Sequence, residues 1–319
     1  MDLSIIIVNW NSRDYLAKAL DSIAESPPSV THEIVVIDSG SFDGCAEMLR
    51  TSHPEVRFLQ SPSNLGFARA NNAAFKATSG QLLLFLNPDT EVVGPAIDRL
   101  CTAVTATPDA GIVGPRLLNS DGSVQDTCVR AFPTVLNQVL DSNLLRTRFP
   151  QSTLWGKRGL STPGDAPFRV DAVSGACLLM KRSLFEAVGQ FSTDYFMYAE
   201  DMDLCLKATR AGFACYHVPT AVVVHHGGGS SAQSTTSTFA AVMALESQWR
   251  YFHKMRSPAY AGLYRAAMLF ASLLRVAILL LCWPFAALLR RGRAGRAALR
   301  KWAARLRWTL GGERWVRHV

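Results

Sequence analysis

The sequence predicts an α/β fold in which a doubly wound sheet precedes a C-terminal helical segment. Short, buried-strand runs alternate with helical spacing through the first hundred residues, and polar side chains follow several of these strands. Charge is also divided unevenly between the two ends of the chain. With 319 residues, 49% of them hydrophobic, the chain can bury a full core.

The first strand is predicted at residues 3–8, a continuous β-branched run typical of a strand buried on both faces. A helix follows, with Ser12 as its expected cap and Pro27 as its end. The alternation continues with strands at 33–37, 56–59 and 82–86 and with helices at 46–51 and 68–78. These βαβ units predict parallel strands.

The chain becomes less regular beyond this half. Residues 119–168 are rich in proline and glycine and predict a long loop, including 156–164. Order returns at 170–180, followed by helices at 183–188 and 200–211.

Positive charge is confined to the C-terminal end. Residues 250–319 carry fifteen Lys and Arg against Glu313 alone, a net of +14, so the rest of a chain with formal charge +8 carries −6. The seven cysteines are scattered without a CxxC pair, which indicates a reducing cytosol rather than a disulfide framework or a zinc site. Because the first residues are strand-like, we expect no secretory leader.

Three predicted strands are each followed by a polar side chain, namely Asn9, Asp38 and Asp89. The carboxyl ends of parallel strands meet at one edge of a sheet, so these groups should converge there. The run 85–91 ends a hydrophobic strand in a Pro-fixed turn, where an acid can hold Mg²⁺ or Mn²⁺ on a diphosphate. A purely local turn explains the same residues about equally well.

A second acidic motif, Glu200, Asp201 and Asp203, opens the helix predicted at 200–211. Acids are favoured at a helix N-terminus by the dipole alone. The aromatic residues Phe196 and Tyr198 just before them favour instead a carboxylate that accepts a proton from an incoming hydroxyl.

Two weaker motifs contain groups suited to a metal or an anion. His225 and His226 end a strand-like run beside glycines that continue to Ser230, and an imidazole there can reach a metal or a phosphate. Gly66 precedes a helix and allows close backbone approach, with Arg69 one turn in. Either motif alone is also compatible with a structural role.

The order of these motifs is more specific than any one of them. The series consists of 8–11, 36–44, 64–69, 87–89, 174–176, 200–203 and 225–230. It resembles the inverting family 2 glycosyltransferases of the GT-A fold, and among them the rhamnosyltransferase-like branch of cell-envelope polysaccharide synthesis. The resemblance covers residues 3–254. It implies a Rossmann-like mixed sheet with helices on both faces, a catalytic domain at 1–232 and a helical membrane-associating segment at 233–319.

The resemblance also implies roles for individual residues. Asp201 is the implied catalytic base with Glu200 as its neighbour, and Asp89 and His225 are the implied ligands of Mg²⁺ or Mn²⁺. Asp38 is implied to read a pyrimidine ring. The other implied donor contacts are Val8, Asn9, Gly66, Arg69, Asn72 and Asn87, of which Asn87 replaces the first acid of the family's metal motif.

The implied reaction transfers L-rhamnose from dTDP-rhamnose to a lipid-linked saccharide, with inversion, at the cytoplasmic face of a membrane. Ser39, Phe42 and Lys207 depart from the residues more usual in the family, so a UDP-sugar donor stays open. A non-catalytic nucleotide-binding regulatory protein of the same fold is the alternative class. The presence of Asp89, Asp201 and His225 together argues against it. A dinucleotide-dependent dehydrogenase is excluded because no GxGxxG follows the first strand.

The C-terminal segment combines an apolar run with a basic amphipathic one. Residues 266–289 are apolar except for Ser272 and Arg275, and the uninterrupted part, 276–289, is short for a membrane span. Within 290–310 the residues at helical spacing are Leu299, Trp302, Ala303, Leu306 and Leu310. This pattern predicts a peripheral helix on an anionic membrane surface, with docking onto protein as the alternative. Nucleic acid is disfavoured as a partner because no recognition fold accompanies the basic segment.

Overall fold

The computed structural model describes residues 1–155, 160, 164–227, 238–288 and 292–317. They divide into two compact units. The first, here the sheet unit, comprises 1–132, 144–193 and 200–230, and the second, here the helical unit, comprises 133–143, 194–199 and 231–319. The domain boundary predicted between residues 232 and 233 lies outside the described residues and stays a prediction.

The sheet unit is built on a mixed sheet that has nine strands among the described residues, eight of them in the order β3-β2-β1-β4-β10-β6-β11-β5 and β8 pairing with β11. A separate ribbon pairs β7 with β9. The strands are β1 Leu3–Asn9, β2 His32–Ser39, β3 Arg57–Ser61, β4 Leu82–Leu86, β5 Thr90–Val93, β6 Ala110–Leu118, β7 Val129–Arg130, β8 Phe168–Val170, β9 Ala172–Val173, β10 Cys177–Lys181 and β11 Ala214–His225.

Helices accompany these strands, and all except Asn143–Arg148 bury apolar side chains. They are α1 Arg13–Glu25, α2 Cys45–Ser52, α3 Gly66–Phe75, α4 Ala96–Ala106, α6 Asn143–Arg148, α7 Arg182–Ala187 and α8 Glu200–Arg210. In α1, for example, Leu16, Leu20 and Ile23 are buried, as their helical spacing predicts.

Strand direction places the expected polar groups at one edge of the sheet. β1 runs parallel to both β2 and β4, and the β1–β2 register ends with Asn9 opposite Asp38. β10 is antiparallel to β4, so its first residues lie at the edge where β4 ends, and Asn87 N donates to Ala176 O at 2.9 Å. The predicted parallel, doubly buried strands are confirmed, and the antiparallel strands β5, β8 and β10 make the sheet mixed.

Two local predictions are corrected. Ser12 stands at the N-cap position of α1, but its hydroxyl donates to Trp10 O rather than capping the helix. Asp43 Oδ2 accepts from Arg13 N at 2.8 Å instead, because the loop after β2 carries an acid to this helix end.

The segment predicted as a long loop, 119–168, contains β7, α5 (Val135–Val139) and α6. These elements have two to six residues, too few to show a period. Thr134 and Asn137 form a reciprocal capping box that starts α5. Most of the predicted loop at 156–164 lies outside the described residues.

The helical unit contains α5, α9 (Thr238–Met255), α10 (Pro258–Leu288) and α11 (Gly292–Thr309). Trp302, Ala304 and Trp308 of α11 pack inside the unit: Trp302 is half-buried, and the other two are buried. Of the residues expected to face a membrane, Leu299, Trp302, Ala303 and Leu306 are half-buried, and the expectation stays a prediction. Leu310 alone of the expected set is largely exposed, at 69%.

Candidate active site

The ends of β1 and β2 form a buried polar pocket around Asp38. Asn9 Nδ2 donates to Asp38 Oδ1 at 2.9 Å, and Gln60 Nε2 donates to Asp38 Oδ2 at 2.7 Å. Ser41 N donates to the same Oδ2 at 2.8 Å. Asn9 Oδ1 is buried and has no hydrogen-bond partner among the described residues.

Hydrogen bonding keeps Asp38 ionised. Burial alone would raise its pKa, but the hydrogen bonds from Ser41, Asn9 and Gln60 outweigh burial and lower the pKa below the ordinary value of 3.8. The pocket therefore presents two kinds of hydrogen-bond acceptor, the Asp38 carboxylate and the Asn9 amide oxygen, which suit the N–H donor of a pyrimidine.

Asp38, Asp43 and Cys45 bring potential metal-ligating atoms within 4.8 Å of one another. Cys45 Sγ donates to Asp38 Oδ1 at 3.2 Å, and Asp43 accepts from the backbone N–H groups of Arg13 and Cys45. Burial, reinforced by Asp38, raises the pKa of the Cys45 thiol. A neutral thiol and carboxylates already engaged by donors are poorly suited to a cation, so we assign this cluster to the base pocket.

The start of α3 lies beside β2. Ser39 Oγ accepts from Leu65 N at 2.7 Å, and Gly66, with φ of +71°, begins the helix in a conformation that favours glycine. Arg69 is exposed one turn in. The amide of Asn72 is engaged on both sides by the backbone of Phe191, at 2.8 and 3.1 Å, which gives Asn72 a structural task. Its predicted donor contact stays a prediction.

Asp89 and His225 face each other after β4 and β11. Asp89 is 6% exposed, and His225 Nε2 lies 3.4 Å from its Oδ1. Asn87 Nδ2 lies 3.5 Å from the same Nε2. Strand β11 brings His225 here by pairing it with Thr90 of β5, the residue that follows Asp89. Gly228 to Ser230, the rest of the predicted glycine-rich motif, lie outside the described residues.

Gln125 fixes the orientation of His225, and no sequence motif pointed to this residue. Its Oε1 lies 2.8 Å from His225 Nδ1, while its Nε2 donates to Asn119 Oδ1 at 3.1 Å. With the amide oriented in this way, we assign the proton of the ring to Nδ1. The lone pair of Nε2 then points to the side of Asp89, as it must in a metal-ligating histidine. Asp89 and His225 therefore fit a divalent cation.

Asp201 lies close to the loop that precedes β10. Its Oδ2 accepts from Gly175 N at 3.1 Å, and its Oδ1 accepts from Met202 N at 2.8 Å. A Cβ on Gly175 would lie 3.2 Å from Asp201 Cβ, so the glycine permits this close approach. The two backbone N–H groups hold the Asp201 carboxylate in place, and neither of them brings a positive charge to it.

The other acids of α8 are placed differently. Asp203 is fully buried, accepts from Ser192 Oγ and lies 3.4 Å from Lys207 Nζ, which indicates a structural ion pair. Glu200 is 8% exposed at the first position of the helix. The preceding segment, 194–199, belongs to the helical unit, where Ser247 Oγ donates to Met197 O at 2.7 Å.

The structure thus places Asn9, Asp38 and Asp89 at the ends of β1, β2 and β4, His225 at the end of β11, and Asp201 on α8 beside the loop before β10. The contacts join them in three sets: Asn9 with Asp38, Asn87 and Asp89 with His225, and Gly175 with Asp201.

Comparison with known proteins agrees with this arrangement. The Glycosyl transferase family 2 model matches residues 4–189. The chain is 32% identical over 238 residues, 69% of this chain and 75% of the relative, to the N-acetylglucosaminyl-diphospho-decaprenol L-rhamnosyltransferase of Mycobacterium tuberculosis. It is 26% identical over 228 residues, 67% of this chain and 80% of the relative, to the rhamnosyltransferase WbbL of Escherichia coli K12.

Solved structures share the fold at low identity. The mannosyltransferase PcManGT from Pyrobaculum calidifontis, in complex with GDP-Man and Mn²⁺, aligns with a TM-score of 0.59 at 18% identity over 97% of this chain and 86% of that chain. S. aureus TarS 1-349 with UDP-GlcNAc aligns with a TM-score of 0.52 at 15% identity over 98% and 92%.

Fold and site together define a glycosyltransferase of the GT-A fold. The chain belongs to glycosyl transferase family 2, and within it to the rhamnosyltransferase-like members.

Proposed function

We propose that this glycosyltransferase moves L-rhamnose from dTDP-rhamnose to a lipid-linked saccharide, with inversion and with a divalent metal. The observation that carries the proposal is the meeting, at one sheet edge, of a base pocket at Asp38, a candidate metal pair at Asp89 and His225, and a fixed carboxylate at Asp201. The L-rhamnosyltransferases named above support the sugar, and the name of the mycobacterial relative supports the lipid-linked acceptor.

Asp201 would act as the general base. Its two oxygens are oriented by Gly175 N and Met202 N, which leaves lone pairs to accept the proton of an acceptor hydroxyl. As that proton leaves, the hydroxyl oxygen bonds to the anomeric carbon on the face opposite the nucleotide, and the bond from that carbon to the diphosphate breaks. The anomeric configuration inverts in consequence.

Asp89 and His225 would hold the metal. Both present lone pairs to the same space, with His225 fixed by Gln125. When bound, Mg²⁺ or Mn²⁺ supplies positive charge that neutralises the departing diphosphate. Arg69, exposed at the start of α3, would offer a second positive charge to the same anion.

The base pocket would bind the pyrimidine through Asp38 and the free Asn9 Oδ1. Thymine and uracil present the same N–H donor to these acceptors, so a UDP-sugar is the alternative donor. Val8, Gly66, Asn72 and Asn87 complete the proposed donor site.

The test is release of nucleoside diphosphate from dTDP-rhamnose, UDP-GlcNAc and GDP-mannose, with an N-acetylglucosaminyl-diphospho-polyprenol acceptor. We expect turnover of dTDP-rhamnose that stops with chelator and returns with Mg²⁺ or Mn²⁺. Turnover of a UDP-sugar alone would select the alternative donor. If every nucleotide binds and none turns over, the non-catalytic alternative is correct.

A lipid-linked acceptor requires the enzyme to work at a membrane, and we propose a peripheral position on the cytoplasmic face. The seven cysteines support a reducing compartment: the six whose side chains are described are all free and buried. The basic charge of residues 250–319 suits an anionic lipid surface.

A further inference from the structure

Helix α10 carries an exposed apolar stripe, defined here by Leu263, Phe270, Leu274 and Leu281. Their exposed fractions are 56%, 72%, 62% and 75%. Separations of seven, four and seven residues place them on one face of the helix. Large apolar side chains exposed in one continuous row are unusual for a monomeric protein surface and indicate a binding face.

The opposite face of α10 is packed within the helical unit. Its buried residues, also at helical spacing, are Ala261, Tyr264, Met268, Ala271 and Ser272. Tyr264 stacks edge-on with Phe252 of α9, with ring centroids 5.0 Å apart. The helix is therefore half protein core and half exposed apolar surface along this length.

Arg275 ties the middle of α10 to its neighbours. Its guanidinium donates to Val139 O at 3.1 Å. Along the sequence, Arg275 lies just beyond the centre of the exposed stripe. It also lies 4.4 Å from the centroid of the Trp302 ring of α11. α10 is thus fixed against α5 and α11 on the side away from the stripe.

These contacts decide between two ways in which α10 could meet a bilayer. By length and composition alone, residues 258–281 are one helix among the described residues that could cross a membrane. Crossing would carry α11, with six Lys and Arg and no acid, to the same depth as Arg275. Burying so many charges in hydrocarbon is prohibitive, whereas a helix that lies in the interface keeps them in water.

Charge identifies the partner that binds the exposed apolar stripe. Arg296, Arg300, Lys301 and Arg307 of α11 are exposed, and residues 250–319 carry a net of +14. A second copy of this chain would bring the same positive charge to the contact and would be repelled. An anionic lipid surface supplies both the hydrocarbon and the opposite charge.

We infer that α10 lies in the plane of an anionic membrane, with Leu263, Phe270, Leu274 and Leu281 in the acyl boundary and Arg275 facing the protein. This inference rests on the proposed membrane association but not on the identity of the sugar or on catalysis, because membrane binding is measured without donor or acceptor.

Depth measurement tests the in-plane orientation. Cysteines are introduced one at a time in the full-length chain by Leu263→Cys, Phe270→Cys and Leu281→Cys, in a Cys282→Ala background, and labelled with a fluorophore. Quenching by lipids spin-labelled at defined depths in phosphatidylglycerol vesicles should place all three at a similar shallow depth, within about 10 Å of the headgroups. Depths that differ by about 27 Å between residues 263 and 281, as 18 helical residues require, would show that α10 spans and would overturn the inference.

Vesicle flotation tests the partner. The wild type should bind phosphatidylglycerol vesicles more strongly than phosphatidylcholine vesicles, and the double variant Phe270→Ser/Leu274→Ser should bind at least about tenfold more weakly. Leu144→Ser, which changes a leucine of the sheet unit that is 77% exposed, is the matched control and should bind like the wild type. Equal binding by all three proteins would overturn the inference. The inference would also be overturned if sedimentation showed that the stripe mediates self-association and not lipid binding.

Discussion

The two units of this glycosyltransferase place charged side chains in different surroundings. The sheet unit turns carboxylates inward: Asp38 and Asp89 are almost fully buried at strand ends, among hydrogen-bond donors. The helical unit partly buries guanidinium groups against an aromatic ring, with Arg275 and Arg305 lying 4.4 and 4.3 Å from the centroid of the Trp302 ring, and its buried acid, Glu246, pairs with Arg250. Burial lowers the pKa of both arginines.

The difference follows from the backbone geometry of each unit. Parallel strands deliver their carboxyl ends, and the acids that follow them, to a single edge, where they can share a cation and a donor. Packed helices have no such edge, so their inward charges pair with helix-terminal carbonyls and aromatic rings. One unit is thereby suited to chemistry and the other to a surface.

The largest effect is expected at the metal pair. Asp89→Ala should abolish Mn²⁺ binding, measured by titration calorimetry, and lower transfer by about 10³-fold, because the leaving diphosphate loses its counter-charge. Glu91→Gln is the control two residues along the same segment, and it should retain most of the activity. Equal losses in the two variants would mean that the turn after β4 is structural.

The next effect concerns Gln125, which the sequence did not reveal. Gln125→Ala should weaken Mn²⁺ binding by about 10- to 100-fold because the His225 ring loses the acceptor that fixes its tautomer. Gln125→Glu keeps that acceptor and should bind Mn²⁺ at least as tightly as the wild type. Wild-type affinity in Gln125→Ala would contradict the assigned orientation of His225.

In the helical unit we expect a loss of stability without a loss of chemistry. Arg275→Leu removes the hydrogen bond to Val139 O and the contact with Trp302, and should lower the free energy of unfolding by about 1.5–3 kcal/mol. Arg300→Leu, at an exposed position on α11, should change it by less than about 0.5 kcal/mol. Urea denaturation followed by tryptophan fluorescence makes the comparison. Identical midpoints for the two variants would contradict the claim that Arg275 holds α10 against α5 and α11.

The smallest effect is a dependence of stability on pH. The pKa of Asp38 is lower in the folded protein than its ordinary value of 3.8, so its contribution is present above that value and is lost as the pH falls through the folded pKa. Thermal unfolding should show a fall in Tm below about pH 4. The fall should be shallower in Asp38→Asn, which has no proton to take up. The same slope in both proteins would assign the acid transition to other groups.

Prediction from sequence succeeded where a motif is local to a strand and its turn. The strand–polar residue pairs ending at Asn9, Asp38 and Asp89 could be placed because strand direction fixes where those ends go. Gln125 could not be found, since its contact with His225 spans 100 residues and depends on the position of β6 beside β11.

The helical unit shows where prediction from the sequence is insufficient. Composition indicated an apolar run in α10 and helical spacing an apolar side on α11, but neither tells which side another helix covers. In the structure Trp302 and Trp308 are packed while Phe270 and Leu274 are exposed, so tertiary contacts, and not the pattern, select the free face.

The central claim is that Asp201 accepts the proton of the acceptor, and the most direct test compares two acids on the same turn of α8. Asp201→Asn should lower kcat by about 10²- to 10⁴-fold with an unchanged unfolding midpoint, because its carboxylate is held only by backbone N–H groups. Asp203→Asn should do the reverse, with near-normal kcat per folded molecule and a lower midpoint, because it breaks the buried pair with Lys207. Wild-type kcat in Asp201→Asn would contradict the account.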